Sequence, residues 1–354
     1  MEQVLQQFRD TIVKATTNKT PLRILGGGTK DWYGQSLQGE ILHTRAYTGI
    51  VAYEPTELVI VARAGTPLSE IEAALDERNQ MLAFEPPRFG AASTIGGVVA
   101  AGLSGPRRQA VGAARDFVLG ATLVDGKGDV LRFGGQVMKN VAGYDVSRLL
   151  AGSMGTLGLI VDVSLKVLPK PFIETTLRFE LGQKEAIERL NTWGGQPLPI
   201  SASAWHGGTL IVRLSGAVAA VKAAVQKMGG EEDTQAAAFW NELRDHGNAF
   251  LGDAEGPALW RVSVPPVAPP LDLEGDQLIE WGGAQRWLRT DAGAKKIRAV
   301  AEKAGGHATL FRGGDKSAGV FHPLAPAVAA IHRNLKNAFD PSGIFNPGRM
   351  YNDF

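Results

Sequence analysis

The sequence predicts an α+β protein of two domains, and three observations carry that prediction. Short β-branched runs outnumber helical ones along the 354 residues. Several of these runs are joined by glycine-bearing turns of hairpin type, which argues against a doubly wound parallel sheet. The pattern also changes character at Pro169-Lys170-Pro171, and the chain is long enough for a core on either side.

Taken in order, residues 3–15 carry Val4, Leu5, Phe8, Ile12 and Val13 at helical spacing. Residues 21–25 read as a short strand entering Gly26-Gly27-Gly28-Thr29-Lys30-Asp31. Strands follow at 42–53 and 58–64, then a helix at 67–79 with Pro67 at its start and Leu68, Ile71 and Leu75 on one face. Strands 117–124 and 130–133 flank the turn Asp125-Gly126-Lys127-Gly128, and 159–167 is a further strand. Beyond Pro171, strands at 175–181, 202–205, 210–214, 260–264, 277–281, 285–288 and 308–311 alternate with helices at 184–193, 217–228 and 292–304. This reads as a small sheet with helices on one face, interrupted by a proline-rich loop at 265–270. The chain closes with a helix at 328–339 and a compact turn, Asp340-Pro341-Ser342-Gly343-Ile344-Phe345-Asn346-Pro347-Gly348.

Glycine is in excess: 44 residues, about one in eight against a usual ~7%. The excess lies in discrete loops. Gly26-Gly27-Gly28-Thr29 is one, Ser93, Thr94, Gly96 and Gly97 form a second, and Gly152, Ser153, Gly155, Thr156 and Gly158 a third. Glycine lets a backbone take positive φ or lie flat against a ligand, and neighbouring hydroxyls add donors. A strand running into a glycine turn offers consecutive N–H groups to an anion. The three loops therefore read as walls of one long, phosphate-bearing cofactor site, although a plain turn accounts equally well for the first loop alone. Asp31 stands where a GxGxxG fingerprint needs its third glycine, and no GxxxxGK[ST] loop is present.

Composition excludes other classes. Net charge is +1 with no run of one sign, poor support for a nucleic-acid or anionic-membrane partner. With no cysteine, disulfides, thiolate zinc sites, cysteine-ligated iron–sulfur clusters and a cysteine nucleophile are ruled out within the chain. No metal site is expected. The charged N-terminus lacks a signal-peptide core, and no window approaches ~18 apolar residues, so a cytoplasmic protein without a membrane span is expected.

The segments RILGGGTKD, ASTIGG, VGAARDFVLGATLVDGKGDVLRFGG, KNVAGYDVSRLLAGSMGTLGLI and AFDPSGIFNPGRM, in that order, resemble the FAD-binding domain of the vanillyl-alcohol-oxidase/PCMH flavoprotein superfamily. Within it the chain looks most like the FAD-binding subunits of bacterial glycolate oxidases (glycolate dehydrogenases). The resemblance implies a PCMH-type two-subdomain FAD-binding domain over 1–170, rejoined by a tail at 335–354. A shortened ferredoxin-like cap, substrate or interface domain would span 171–334. Gly26, Gly27, Gly28, Thr29 and Lys30 would hold the FAD pyrophosphate, and Ser93, Thr94, Gly96 and Gly97 would line pyrophosphate and flavin from the other side. Gly102 would let the ribityl chain pass. Gly152, Gly155, Thr156 and Ile160 would bound the flavin and adenine ends, and Asn346 would close the flavin edge.

Departures from the family pattern qualify this. The histidine and cysteine used elsewhere for covalent attachment are missing, with Thr29 and Lys30 in the first loop, so non-covalent FAD is expected. The GEHG-type histidine motif of 2-hydroxy-acid oxidising relatives is also missing, which leaves the catalytic residues unknown. His206, His307 and His322 read as structural or surface residues, with a substrate role the alternative. Arg286 and Arg312 read as solvated or bridging, with bidentate capture of a carboxylate the alternative. Trp205, Trp240 and Trp260 read as core, and Tyr144 and Asp145 as structural. The implied function is a subunit of a complex that oxidises glycolate or another small 2-hydroxy acid. It would work beside a sister FAD subunit and an iron–sulfur subunit, through which it would meet a membrane. The alternatives are a non-catalytic FAD-bearing assembly subunit and a stand-alone FAD-dependent alcohol oxidase.

Overall fold

The computed structural model describes residues 1–135, 144–253 and 255–353. The chain forms two compact units. One comprises Met1–Ser104, Ala113–Pro169 and Pro323–Phe354, and the other Gly105–Gly112 and Lys170–His322. The second unit thus ends at His322, short of the 334 read from the sequence, and it takes in an eight-residue excursion from the first.

In the first unit, helix Glu2–Asn18 turns Phe8, Ile12 and Ala15 inward, as its spacing dictates. They meet Leu22, Leu42, Val124, Leu159, Val161 and Phe345 in one core. Strand Leu22–Leu25 pairs in parallel with Glu40–His43, and Phe345 from the tail bridges to Leu22, also in parallel. Beside this lies a five-stranded antiparallel sheet in the order Ile50–Glu54, Val59–Arg63, Leu159–Lys166, Val118–Val124, Val130–Gly134. The turn after Val124 is the predicted hairpin: Asp125 Oδ1 accepts from the N–H groups of Lys127 and Asp129, each at 2.9 Å.

Two local readings change. The single strand predicted over 42–53 is two strands in different sheets, because Thr44 N–H bonds back to the Leu25 carbonyl and Tyr47 N–H to that of Thr44. The ASTIGG loop opens a helix, Ile95–Ala101, despite two glycines in its first turn. Thr94 caps it, its Oγ1 accepting from Gly97 N–H at 3.3 Å. Gly96 is required there because a Cβ would sit 2.5 Å from that of Ala64. Of the KNVAGYD segment, Lys139–Gly143 lie outside the described residues, while Asp145 caps helix Val146–Leu150 by accepting from Arg148 N–H.

The second unit is built on an eight-stranded antiparallel sheet among the described residues. Its order is Glu231–Glu232, Ile173–Glu180, Thr209–Gly216, Ile200–His206, Asp276–Glu280, Gln285–Arg289, Leu259–Ser263, His307–Arg312. The first four strands, with helices Gln183–Gly194 and Val218–Met228, form a βαββαβ unit in spatial order 4-1-3-2. The last four repeat that order in mirror sense, with helix Ala294–Lys303 before the final strand and the proline-rich loop in place of the other helix. The ferredoxin-like domain read from the sequence is therefore a doubled one, joined where Ala204–His206 pair with Leu278–Glu280. Each half has its own core, around Leu177, Leu210 and Val212 in one and Trp260, Val262 and Ile297 in the other.

Candidate functional site

The three glycine loops all belong to the first unit and wall two adjoining hollows that share Ile24, Gly26, Gly97, Ala100, Met154 and Asn346. The first wall follows directly from strand Leu22–Leu25. Strand pairing ends at Leu25, and the N–H groups of Gly26, Gly27, Gly28 and Thr29 make no hydrogen bond among the described residues. Gly28 has φ +70°, the left-handed turn that points successive N–H groups to one side. Gly27 allows the loop to lie on the Ala92–Ser93 backbone, since a Cβ there would fall 1.6 Å from the Ala92 carbonyl oxygen. Lys30 Nζ donates to Ser93 Oγ at 3.0 Å and lies 5.5 Å from the Phe89 ring centroid. Lys30 and Ser93, read separately in the sequence, thus form a pair.

The second wall is the helix at Ile95–Ala101. Its first N–H groups are already bonded: Ile95 to the Thr66 carbonyl, Gly96 to that of Ala64 and Gly97 to Thr94 Oγ1. What Gly97 and Ala100 offer the groove is a flat, small surface rather than donors. The third wall is the loop after Ala151. It is stitched to the same helix by Gly152 N–H to the Val99 carbonyl and Met154 N–H to that of Ala100. Gly155, at φ +70°, leaves room for Asn346, whose Nδ2 a Cβ would approach to 2.7 Å.

Of the residues read from the sequence, Gly26, Gly27, Gly28, Thr29, Lys30, Thr94, Gly96, Gly97, Gly155, Ile160 and Asn346 line the hollows. Ser93, Gly102, Gly152 and Thr156 stand behind them. Gly102 ends the helix at φ +62°, and a Cβ on it would come 2.7 Å from Gly152 N, so its smallness serves the packing of these two loops. Thr156 is buried and its hydroxyl donates to the Ser153 carbonyl. Asn346 is committed at both ends of its carboxamide: Oδ1 accepts from Ile24 N–H at 2.9 Å and Nδ2 donates to the Met154 carbonyl at 2.7 Å.

Ile24, Thr44, Ala64, Ala100, Met154 and Arg349 also line the groove, and no motif singles them out. Arg349 directly follows the NPG turn. It is 4% exposed and donates to the carbonyls of Gln35 and Asp31, and at 3.3 Å to that of Lys30. Burial lowers its pKa to about 10, with Asp31 opposing, so it remains charged at neutral pH directly beneath the first loop. Lys30 and Arg349 thus put two cations at the end where the unbonded N–H groups lie, beside the Asp31 carboxylate, which pairs with Arg23.

The candidates in the second unit are structural. Arg286 is fully buried and donates to the carbonyls of Gly283 and Ala268, and burial lowers its pKa to about 10. Arg312 donates to the Leu251 carbonyl. His206 pairs with Asp276 on the surface, and His322 with Glu302. Trp205 donates to the Leu181 carbonyl and Trp240 to Thr176 Oγ1, and Trp260 is core. A hollow of this unit is lined by Asp253, Glu274, Asp276 and Asp291 and also by Arg289 and Lys296, so it carries both signs of charge. Among the described residues no three His, Cys, Asp or Glu groups are placed to hold a metal.

Comparison with known proteins agrees with this geometry. Residues 4–134 match the family described as FAD binding domain, and residues 313–350 match FAD linked oxidases, C-terminal domain. The chain is 49% identical to the glycolate oxidase subunit GlcE of Escherichia coli (strain K12), over 98% of this chain and 97% of that one. It is 33% identical to the glycolate oxidase subunit GlcD of Bacillus subtilis (strain 168), over 43% of this chain and 32% of that one. A solved alkyldihydroxyacetonephosphate synthase shares the fold, with TM-score 0.65 and 15% identity over 97% of this chain and 75% of that one.

Proposed function

This chain belongs to the glycolate oxidase GlcE family of FAD-linked oxidases, and on that premise we propose that it is the FAD-binding subunit of a glycolate oxidase complex. The observation that carries the reading is the run of four unbonded N–H groups, Gly26 to Thr29, above the buried Arg349 guanidinium. That donor set suits a diphosphate, which needs several N–H donors and positive charge at one place. The small faces of Gly97 and Ala100, and the apolar wall of Ile24, Ala64 and Ile160, suit the flat, largely apolar remainder of the cofactor. Bound FAD supplies the two-electron acceptor for oxidation of a 2-hydroxy acid. The chain's own residues bind it: Gly26–Lys30 take the pyrophosphate, the small second wall admits the cofactor's close approach, and Gly155 with Asn346 bounds its edge. The binding is non-covalent, because no cysteine exists and Thr29 and Lys30 occupy the first loop.

Any cysteine-ligated cluster that takes electrons from this flavin lies on another polypeptide, since no thiolate is available here to ligate one. An iron–sulfur subunit and a sister flavoprotein of GlcD type are the partners that fit, in a cytoplasmic assembly that meets the membrane through them. No helix among the described residues is long and apolar enough to cross a membrane.

A second reading is favoured by a specific observation. Arg286 and Arg312 donate to backbone carbonyls of the second unit, and His206 and His322 pair with Asp276 and Glu302 there, so these four candidates are tied to that unit's own structure. On this reading glycolate is oxidised in the sister flavoprotein and this chain holds FAD for electron relay or assembly. Anaerobic glycolate added to the purified chain separates the two: bleaching of its flavin supports substrate chemistry here, and bleaching only after the partners are added supports relay. Flavin-free protein after native purification would sink both.

A further inference from the structure

Helix Pro326–Phe339 is anchored in part by a charged residue. Its one buried residue is Lys336, while Val328 and Ile331 face solvent. A helix normally docks through an apolar stripe. This one has such a face, with Ala329, Leu335 and Phe339 half-buried and the Phe339 ring 6.0 Å from that of Phe133, but the one residue it buries fully carries an ammonium.

The three protons of that ammonium are all used. Lys336 Nζ donates to the Thr156 carbonyl at 2.7 Å, to Asp340 Oδ2 at 2.7 Å and to the Phe345 carbonyl at 2.8 Å. Asp340, 1% exposed, also accepts from the N–H groups of Ile344 and Phe345 at 3.0 and 2.8 Å. Thr156 follows Gly155 in the third wall of the groove, and Phe345 precedes Asn346, which spans from Ile24 to Met154. One buried ion pair therefore fixes the third glycine loop and the tail turn against each other, without lining the groove itself.

We propose that Lys336 is a positioning residue for the cofactor: it sets the spacing between the Gly155 loop and the Asn346–Arg349 turn, and through them the affinity for FAD. The proposal rests on the reading that this groove holds FAD. The spacing is tight, since a Cβ on Gly155 would already sit 2.7 Å from Asn346 Nδ2, so a small shift of the tail closes or opens the cofactor's edge. A methionine can fill the lysine's volume but cannot satisfy three acceptors at once, and it leaves Asp340 as a buried unpaired charge.

The test is FAD titration of flavin-free protein, followed by fluorescence quenching, beside the melting temperature of the same flavin-free samples. Lys336→Met is expected to raise the Kd for FAD by about tenfold or more, and Lys336→Arg to recover part of the loss. Lys336→Met combined with Asp340→Asn removes the unpaired carboxylate. It is expected to recover most of the melting temperature while its Kd stays raised and the bound flavin's visible spectrum loses its resolved shoulders. If Lys336→Met alone does not fold, the double variant carries the test. A double variant whose Kd returns to the wild-type value together with its melting temperature would overturn the proposal, as would Lys336→Met with unchanged Kd. Wild-type protein that binds no FAD would overturn the functional reading and this proposal together, whereas wild-type binding with unaffected variants overturns this one alone.

Discussion

Gly27 and Gly97 both line the groove, yet the structure gives them different reasons to be glycine. A Cβ on Gly27 would overlap the Ala92 carbonyl, at 1.6 Å, so its constraint lies inside the fold. A Cβ on Gly97 would meet only Thr94 Oγ1, at 3.3 Å, in a helix with ordinary φ, so the fold has only to shift that capping hydroxyl by a few tenths of an ångström. We therefore expect Gly27→Ala to lose roughly 3 kcal/mol of stability, the range for forced overpacking. Gly97→Val should keep its far-UV spectrum and lose less melting temperature than Gly27→Ala in the absence of flavin, yet lose most of its FAD. Flavin-to-protein ratio and flavin-free thermal melts measured on both variants check this, and equal flavin retention in Gly97→Val would mean the helix face is not a cofactor surface. At this scale the sequence showed which residue types matter but not why. Gly102, read as a passage for the ribityl chain, owes its type to a helix cap against Gly152. Arg349 was missed because nothing in a lone arginine after NPG announces that its guanidinium turns inward beneath a loop more than three hundred residues away in sequence.

Elements with strong periodicity were legible, and those held by caps and close contacts were not. The first helix, the Asp125 hairpin and most strands of the second unit follow from spacing and turn residues. Helix Ile95–Ala101 does not, since its stability depends on Thr94 as cap and on Ala64 across the chain, neither of which has a period. Helix Ala236–Asp245 is similar. It ends on His246 at φ +56°, with the imidazole buried against Trp287 and Phe311. Burial pushes the His246 pKa well below its ordinary value, and Arg312, Arg261 and Arg289 push it the same way. The native state therefore holds this histidine neutral, while the unfolded chain takes up a proton near pH 6.5. Stability is full above that pH and falls as pH drops below it, by at most about 1.4 kcal/mol per pH unit for one proton. His307 is depressed by burial in the same unit and adds to the loss. The depressed carboxyl of Glu174 acts only further down, from its ordinary value of 4.5 downward. Six of the seven tryptophans lie in the second unit, so urea unfolding followed by tryptophan fluorescence from pH 7 to pH 5 reads this directly. His246→Asn, which tolerates the left-handed cap, should start less stable but lose less on acidification. An unchanged slope would remove His246 from the account.

At the scale of the whole molecule, domain membership departs from sequence order, and one arginine tests the departure. Gly105–Gly112 falls inside the stretch that matches the FAD binding domain, yet it belongs to the second unit. No composition shift or linker marks the excursion, because its ties are single long-range contacts. Arg107, its side chain 6% exposed, pairs with Glu174. Trp281 donates to the Gly105 carbonyl at 3.1 Å, and Arg108 stacks 4.4 Å from the Trp281 ring centroid. Burial would raise the Glu174 carboxyl, but Arg107 and Arg213, with the Ser215 hydroxyl donating at 2.6 Å, hold it below its usual range. Glu174 is partly open to solvent, and Arg213 and Ser215 remain when Arg107 is lost, so Arg107→Met should cost the second unit only about 1–2 kcal/mol. The loss should appear in the tryptophan-monitored unfolding of that unit, while the flavin-to-protein ratio stays at the wild-type value. A sequence map of the FAD-binding region predicts the reverse, with flavin lost and second-unit unfolding unmoved. Measuring both quantities on this one variant decides whether residues 105–112 act with the groove whose sequence surrounds them or with the sheet they pack on.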